Sequence, residues 1–400
     1  MKSGWTTKKL GEVCEIFRGG SPRPIKSFIT NEPNGINWIK IGDTDLGGKY
    51  ISSCAEKIKP SGVQYSRYVE RGDFLISNSM SFGRPYILKI NGCIHDGWLV
   101  IKKYEGTFDQ DFLFYLLQSP SVQFQFNDLA RGSTVRNLNR ELVARVKVHY
   151  PETVAEQKRI VAKIDAAFEK IDRLKANAEK NLANAKELFQ SALDEAMRPK
   201  KGWVEKRLGE VANIRVGPFG SSLHKADYVD NGVPLVNPCH MKDSKIADRI
   251  STQVSHDKAE SLKEYRLKAG DIVFARRGEI GRLAFVSEKE DGYLCGTGSL
   301  FARFRERYDI QFLYFFFSSK SFVERLEQLS TGTTMKSINS SALESMSFSV
   351  PLMNDQQRLA KELDSLSQKT KALQQNYARQ VADCAEMRQA ILREAFEGRL

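Results

Sequence analysis

The sequence predicts an α+β protein: two pseudo-repeated, mixed and mostly β lobes joined by two long antiparallel coiled-coil helices. Three observations carry this. Residues 151–198 hold an unbroken helical apolar repeat, residues 351–400 hold a second one, and the chain overlays itself when shifted by about 198 residues.

The first rod opens at Pro151 and then holds no Pro or Gly as far as Arg198. Ile160, Ile164, Phe168, Ile171, Leu174, Ala178, Leu182, Ala185 and Phe189 recur at alternating steps of three and four. That is the stepping of a coiled-coil seam. A helix of about 44 residues would span roughly 66 Å at about 1.5 Å per residue. A lobe of ordinary size cannot bury it alone, so it needs a partner helix. Residues 351–400 supply one, with Leu359, Leu363, Leu366, Thr370, Leu373, Tyr377, Cys384, Met387 and Ile391 in the same stepping. Both rods begin alike, Glu156-Gln157-Lys158-Arg159-Ile160 against Asp355-Gln356-Gln357-Arg358-Leu359.

The lobes repeat as well. Trp5 falls on Trp203, and Leu10-Gly11-Glu12-Val13 on Leu208-Gly209-Glu210-Val211. Gly72-Asp73 falls on Gly270-Asp271, Gly83-Arg84 on Gly281-Arg282, and Pro151 on Pro351. The organisation is therefore lobe 1–150, rod 151–198, lobe 199–350, rod 351–400. Short β-rich runs between Gly, Asn and Asp predict strands. In the first lobe these are Trp38–Ile41, Phe74–Ser77, Ile87–Ile90 and Trp98–Ile101. In the second they are Leu235–Val236, Ile272–Phe274, Leu283–Val286 and Leu300–Phe304. One helix is expected per lobe, at Asp111–Leu117 and Gln311–Phe317, with an aromatic face in the core.

Composition narrows the class. The chain is 41% hydrophobic and 28% charged, as in soluble globular proteins. Its longest apolar run, Phe312–Phe317, is too short to span a bilayer. No membrane partner is expected. Six scattered cysteines form no CxxC pair, which fits a reducing, cytoplasmic setting and neither a zinc site nor a disulfide framework. The net charge of +12 is uneven: +7 on residues 1–151 and +4 on 199–351, against 0 and +1 on the rods. Basic lobes on neutral rods point to a polyanion partner.

A catalytic centre is not legible. There is no GxxxxGK[ST] loop and no GxGxxG after a strand. The five histidines form no metal-ligand spacing. His95-Asp96 resembles an acid–base pair, but the repeat places Cys295-Gly296 there, so a loop or core role is expected. Asn237-Pro238-Cys239-His240 reads as a strand end followed by a turn rather than a methyltransferase motif.

The polar loops are better candidates, because they pair flexible backbone with hydrogen-bonding side chains that can reach bases and phosphates. In the first lobe they offer Arg18, Gly19, Ser21 and Arg23; Asn78, Ser79, Ser81 and Arg84; and Arg131, Ser133, Thr134, Arg136 and Asn137. In the second they offer Ser221 and Ser222; Arg276 and Arg277; and Thr331, Thr333, Thr334 and Lys336. These loops lie at matched places but differ in residues, as the reading of two different short sequences requires.

The chain resembles the specificity subunit of Type I restriction-modification enzymes. The carriers are the Trp-x-x-x-x-Leu-Gly-Glu-Val openings, the Gly-Asp pairs at Gly72 and Gly270, and Asp96-Gly97-Trp98-Leu99. The Gly-Ser/Thr-Thr stretches at Gly132 and Gly332, the Gln-x-Arg helix starts, and the ending Leu392 to Leu400 belong to the same pattern. The resemblance implies that each lobe is a target-recognition domain reading one half of a gapped, asymmetric double-stranded DNA site. It implies that the antiparallel helices fix the gap and dock two modification (methyltransferase) subunits, with restriction (motor-nuclease) subunits joining for cleavage. S-adenosylmethionine, ATP and Mg would then be bound by those partners and by nothing in this chain, which has no catalytic or metal site of its own. The other readings are a stand-alone nuclease or methyltransferase with an unrecognised site, and a coiled-coil adaptor that binds protein alone.

Overall fold

The computed structural model describes residues 4–45, 47–78, 83–130, 137–219, 222–332 and 336–400. They fold as two compact units. The first holds residues 1–179 and 378–400, and the second holds 180–377. Each unit thus takes one lobe and a share of both long helices.

Those helices run Val154–Met197 and Met353–Phe396, each 44 residues long. Within the first unit they are antiparallel. Arg159 Nη2 donates to the Leu400 carbonyl at 2.9 Å, and Arg388 pairs with Asp172 at 2.8 Å, so early residues of one face late residues of the other. The Arg388 guanidinium also lies 4.3 Å from the centre of the Phe168 ring.

The seam differs from its sequence reading in part. Ile160, Ile164, Phe168, Ile171, Leu359 and Leu363 are buried, and Leu182, Leu366, Tyr377 and Ile391 are half-buried. Leu174, Leu373 and Met387 stand 56%, 41% and 48% exposed, off the seam. Ala178 and Ala185, farther along the same repeat, are buried, and Leu193 and Met197 continue the buried stripe beyond it. Leu174 and Leu373 lie close to the junctions of the two units at Glu179/Lys180 and Tyr377/Ala378. The apolar stripe also serves the lobe: Phe168 packs edge-on against Tyr115 at 5.6 Å, and Tyr115 hydroxyl donates to Asp165.

Each lobe closes on itself, its first strand pairing antiparallel with its last. Trp5–Lys9 pairs with Lys147–Pro151, and Val204–Arg207 with Ser347–Val350. Between these, the first lobe holds two five-stranded sheets. One runs Glu15–Arg18, Trp98–Lys102, Phe74–Ser77, Pro85–Leu88, Tyr50–Ile51. The second lobe repeats that sheet with four strands, Ala212–Val216, Ser299–Phe304, Ile272–Ala275 and Leu283–Phe285. The register repeats too: Leu99 faces Ile76 as Leu300 faces Phe274.

The Gly-Asp pairs explain themselves here. Gly72 and Gly270 sit at φ of 99° and 92°, a conformation that disfavours side chains. The following aspartate caps its own turn, Asp73 accepting from Glu70 N–H and Asp271 from Lys268 N–H. It then pairs across the sheet, Asp73 with Lys102 at 2.9 Å and the buried Asp271 with Arg303 at 2.6 Å.

The aromatic helices span Gln110–Gln118 and Ile310–Ser318, capped by Asp109 and Asp309. Another helix follows directly in each lobe, Pro120–Ala130 and Lys320–Gln328, and shorter ones such as Leu10–Val13, Arg140–Ala144, Leu208–Val211, His256–Ser261 and Ser340–Glu344 add to them, where one helix per lobe is expected from sequence. Ser119 and Ser319 leave the helical region, and each hydroxyl bonds back to the preceding turn. Pro120 occupies the first helical position that proline tolerates. The polar stretches Gln118-Ser119-Pro120-Ser121 and Ser318-Ser319-Lys320-Ser321 mark the break in the sequence.

Lobe and rod are locked by one buried glutamine each. Gln157 is fully buried; its Oε1 accepts from Asp109 N–H at 2.7 Å, and its Nε2 donates to the carbonyls of Thr107 and Pro151. Gln356 repeats this with Asp309 N–H at 2.9 Å and the Pro351 carbonyl at 3.0 Å. No helix among the described residues is long and apolar enough to cross a membrane.

Gln157→Ala orphans a buried donor and two carbonyls, at about 1–3 kcal/mol for a buried group left unpaired. The variant is expected to unfold its first unit at lower urea. Tryptophan fluorescence reports this, since Trp5, Trp38 and Trp98 all lie in that unit. An unchanged midpoint would remove the glutamine lock.

Candidate nucleic-acid interface

Among the described residues, parts of the loops expected to read DNA come together beside the central sheet in each lobe. In the first lobe they converge on Asp96. Its carboxylate accepts from Ser21 hydroxyl at 2.8 Å and lies 3.5 Å from the largely exposed Arg23 guanidinium. Its backbone carbonyl accepts from Asn78 Nδ2 at 2.7 Å and from Arg18 Nε at 3.3 Å. The Ser21 bond, and after it the Asp96 backbone N–H and the Arg23 charge, hold the Asp96 carboxyl below its usual range. Four residues expected from sequence therefore gather on one that was not. Asp96 was read with His95 as loop or core; its position just ahead of Gly97-Trp98 was the only trace it left.

Gly19 is the hinge of this arrangement. A Cβ there would stand 2.1 Å from the His95 carbonyl oxygen, so only glycine lets the two loops close. Arg84 is exposed at the rim of a cavity of about 550 Å³ with Gln118, Gln123 and Gln389, away from Asp96's contacts. Asn137 is half-buried beside Leu138, whose N–H bonds the Asn78 carbonyl. Ser79, Ser81, Arg131, Ser133, Thr134 and Arg136 lie outside the described residues.

The second lobe repeats the backbone with other side chains. Gly217 takes the place of Gly19, its Cβ position 2.0 Å from the Gly296 carbonyl. Arg276 takes the place of Asn78. Arg276 N–H bonds the Gly298 carbonyl as Asn78 N–H bonds Gly97, and Ile338 N–H bonds Arg276 as Leu138 bonds Asn78. These contacts set His95 against Gly296 and Asp96 against Thr297, one residue on from the sequence alignment. The extra residue lies in the loop before the strand, where matching of short blocks cannot see it.

Arg276 is half-buried, its guanidinium 5.8 Å from the Phe219 ring and its Nε on the Ile338 carbonyl. Burial, and then the Arg277 charge, lower its pKa. Arg277 and Thr331 each bridge to Ser337, which ties the two loops together. Lys336 is exposed and sits 3.7 Å from Glu327. Ser222 is exposed beyond Phe219. Ser221, Thr333 and Thr334 lie outside the described residues.

His95 has a structural place. Its ring lies between Trp38 and Trp98, with centroids at 6.3 and 6.4 Å, and its Nε2 accepts from Ile41 N–H. In the Asn237–His240 turn, His240 Nδ1 accepts from Asn237 N–H after the strand Val233–Val236. Burial lowers the pKa of both histidines. A lowered folded pKa means the unfolded chain binds the extra proton first, near its ordinary value of about 6.5. Their stabilisation is complete above that pH and is lost as pH falls below it. The thermal midpoint should therefore drop from pH 7 towards pH 5.5, and less steeply in a chain carrying His95→Gln and His240→Gln. Equal slopes would contradict the assignment.

Comparison with known proteins agrees with the repeat. The family model for the Type I restriction modification DNA specificity domain matches twice, over residues 2–183 and 200–381. The chain is 21% identical to the Type I restriction enzyme EcoBI specificity subunit of Escherichia coli, over 99% of this chain and 86% of that one. It is 20% identical to the StySPI specificity subunit of Salmonella potsdam, over 100% and 90%. A chain solved in a study of complex assembly and conformational transition of the type I R-M system superposes with a TM-score of 0.79 at 23% identity, covering 100% of this chain and 99% of that one. The crystal structure of the HsdS subunit from Thermoanaerobacter tengcongensis gives 0.61 at 22%, covering 100% and 98%. Two family matches that between them span most of the chain, on a fold shared end to end, establish that it belongs to the Type I restriction-modification DNA specificity family.

Proposed function

We propose that this chain is the DNA-reading subunit of a Type I restriction-modification complex. Each lobe reads one part of a two-part duplex site, and the paired helices set the spacing between the parts. The observation that carries this is the repeat at the loops: Gly19 and Gly217 make the same close approach, Asn78 and Arg276 make the same backbone contacts with different side chains, and Asp96 and Thr297 differ just ahead of the shared Gly97 and Gly298. One scaffold holding two unlike sets of donors and acceptors suits two unlike base sequences. The net charges of +7 and +4 on the lobes supply the attraction to phosphate.

In this reading the chain performs no chemistry. Two methyltransferase subunits dock on it and bring S-adenosylmethionine, and motor-nuclease subunits bring ATP and Mg. Such an assembly works in the cytoplasm, where its DNA is.

The test is selection from a random duplex library by the full chain with its methyltransferase partner. The expected product is a two-part motif with a fixed unspecified gap. Enrichment of no motif, or of one undivided block, would overturn the reading. The spacing has its own test. The two units meet within the helices at Glu179/Lys180 and Tyr377/Ala378. One heptad inserted at each place adds about 10.5 Å of helix. At about 34 Å per turn of duplex, the preferred gap should lengthen by about 3 base pairs with both parts unchanged. An unaltered gap would mean the helices do not measure it.

A further inference from the structure

The two lobes carry different side chains at three positions that the backbone makes equivalent. Asn78 and Arg276 each lie between the same two backbone hydrogen bonds, to Gly97 and Leu138 in one lobe and to Gly298 and Ile338 in the other. Asp96 and Thr297 each precede the glycine of that pair. Ser21 and Phe219 each stand two residues after the glycine packed on the opposing carbonyl, Gly19 and Gly217. The first lobe thus presents Ser21, Asn78 and Asp96, and the second presents Phe219, Arg276 and Thr297.

Their chemistry is opposite. In the first lobe the dominant group is an acceptor. Asn78 is spent on holding the Asp96 backbone, and Ser21 holds one carboxylate oxygen. Among the described residues the other oxygen is paired with Arg23 at 3.5 Å, and the Asp96 side chain is 45% exposed. In the second lobe the dominant group is a donor. Arg276 has its Nε fixed on a carbonyl, and among the described residues no carboxylate pairs with it. Phe219 is 65% exposed beside it, an unusual place for a large apolar ring on a polar loop.

We propose that residues at these three positions carry base preference in each lobe. Asp96 accepts from the exocyclic amino group of a cytosine in the first part of the site. Arg276 donates to the O6/N7 edge of a guanine in the second part, with Phe219 against the methyl group of a neighbouring thymine. Carboxylates accept from cytosine N4, guanidinium groups match guanine, and phenyl rings suit the thymine methyl. Ser21 and Asn78 act as positioning residues for Asp96. This rests on the two-part reading proposed above.

The test repeats the random-duplex selection with Asp96→Asn, Arg276→Gln and Phe219→Ala in the full chain. Asp96→Asn keeps the shape and the Ser21 bond while replacing an all-acceptor group with one that donates. It should reduce the cytosine preference at one position by on the order of tenfold, in favour of adenine, and leave the other part of the motif as in wild type. Arg276→Gln should do the same to one guanine in the other part, and Phe219→Ala should relax an adjoining thymine. A change confined to one part per variant, at one base position each, supports the proposal. Uniformly weaker selection of an unchanged motif would overturn it and make these residues structural or phosphate-binding. Changes from Asp96→Asn and Arg276→Gln in the same part would overturn it as well. A wild-type chain that enriches no two-part motif would overturn the function itself, a separate and recognisable outcome.

Discussion

Everything in each unit hangs from a glutamine in a dry place. Gln157 and Gln356 stand at the start of the long helices and hydrogen-bond the N-terminus of the aromatic helix in their lobe. A buried amide with its bonds made is directional in a way that an apolar contact is not. It fixes where the aromatic helix begins and so where its rings enter the core. Phe112, one turn on, meets Phe396 of the other long helix at 5.2 Å. Phe315 meets Phe189 of the first long helix at 6.2 Å in the second unit. The lobe is thereby set on its pair of helices in a single orientation. A chain that reads a spaced site needs this, because a lobe free to swivel would blur any spacing the helices define.

The lobes show how a fold can hold its shape while its readout changes. The paired aspartates behind Gly72 and Gly270, the closing strand pairs and the glycine-to-carbonyl contacts at Gly19 and Gly217 are common to both. The side chains at Ser21, Asn78 and Asp96 differ from those of their counterparts Phe219, Arg276 and Thr297 on this common backbone. A change of side chain at a base edge is worth about 1–3 kcal/mol of discrimination. New specificity can therefore arise on an unchanged backbone.

Much of this was legible in the sequence. The long helices were, because 44 residues without Pro or Gly and with a steady apolar stripe have few other solutions. The repeat was, and with it the two-lobe order. Strands such as Phe74–Ser77 were found because both faces are buried and the run is continuous. What escaped was set by three-dimensional closure. Leu174 and Leu373 carry the right spacing but stand exposed, close to the junctions of the two units at Glu179/Lys180 and Tyr377/Ala378. The helix that follows the aromatic one in each lobe opens after a serine, and neither Pro120–Ala130 nor Lys320–Gln328 carries a long apolar run to announce it. At the interface, Arg18, Ser21, Arg23 and Asn78 were found as donors on flexible loops. Asp96, which gathers them, was passed over, because nothing local distinguishes a carboxylate that organises a loop from one that faces water. Its role exists only once residues some 75 positions apart are brought together.

The central claim is that this chain gives a modification enzyme its sequence. Mapping adenine methylation in host DNA by single-molecule sequencing, with and without this gene and with its methyltransferase partner present in both, tests it most directly. The account predicts a two-part methylated motif with a fixed gap that disappears when the gene is removed. The same methylated motif in both, with the partner active, would contradict it.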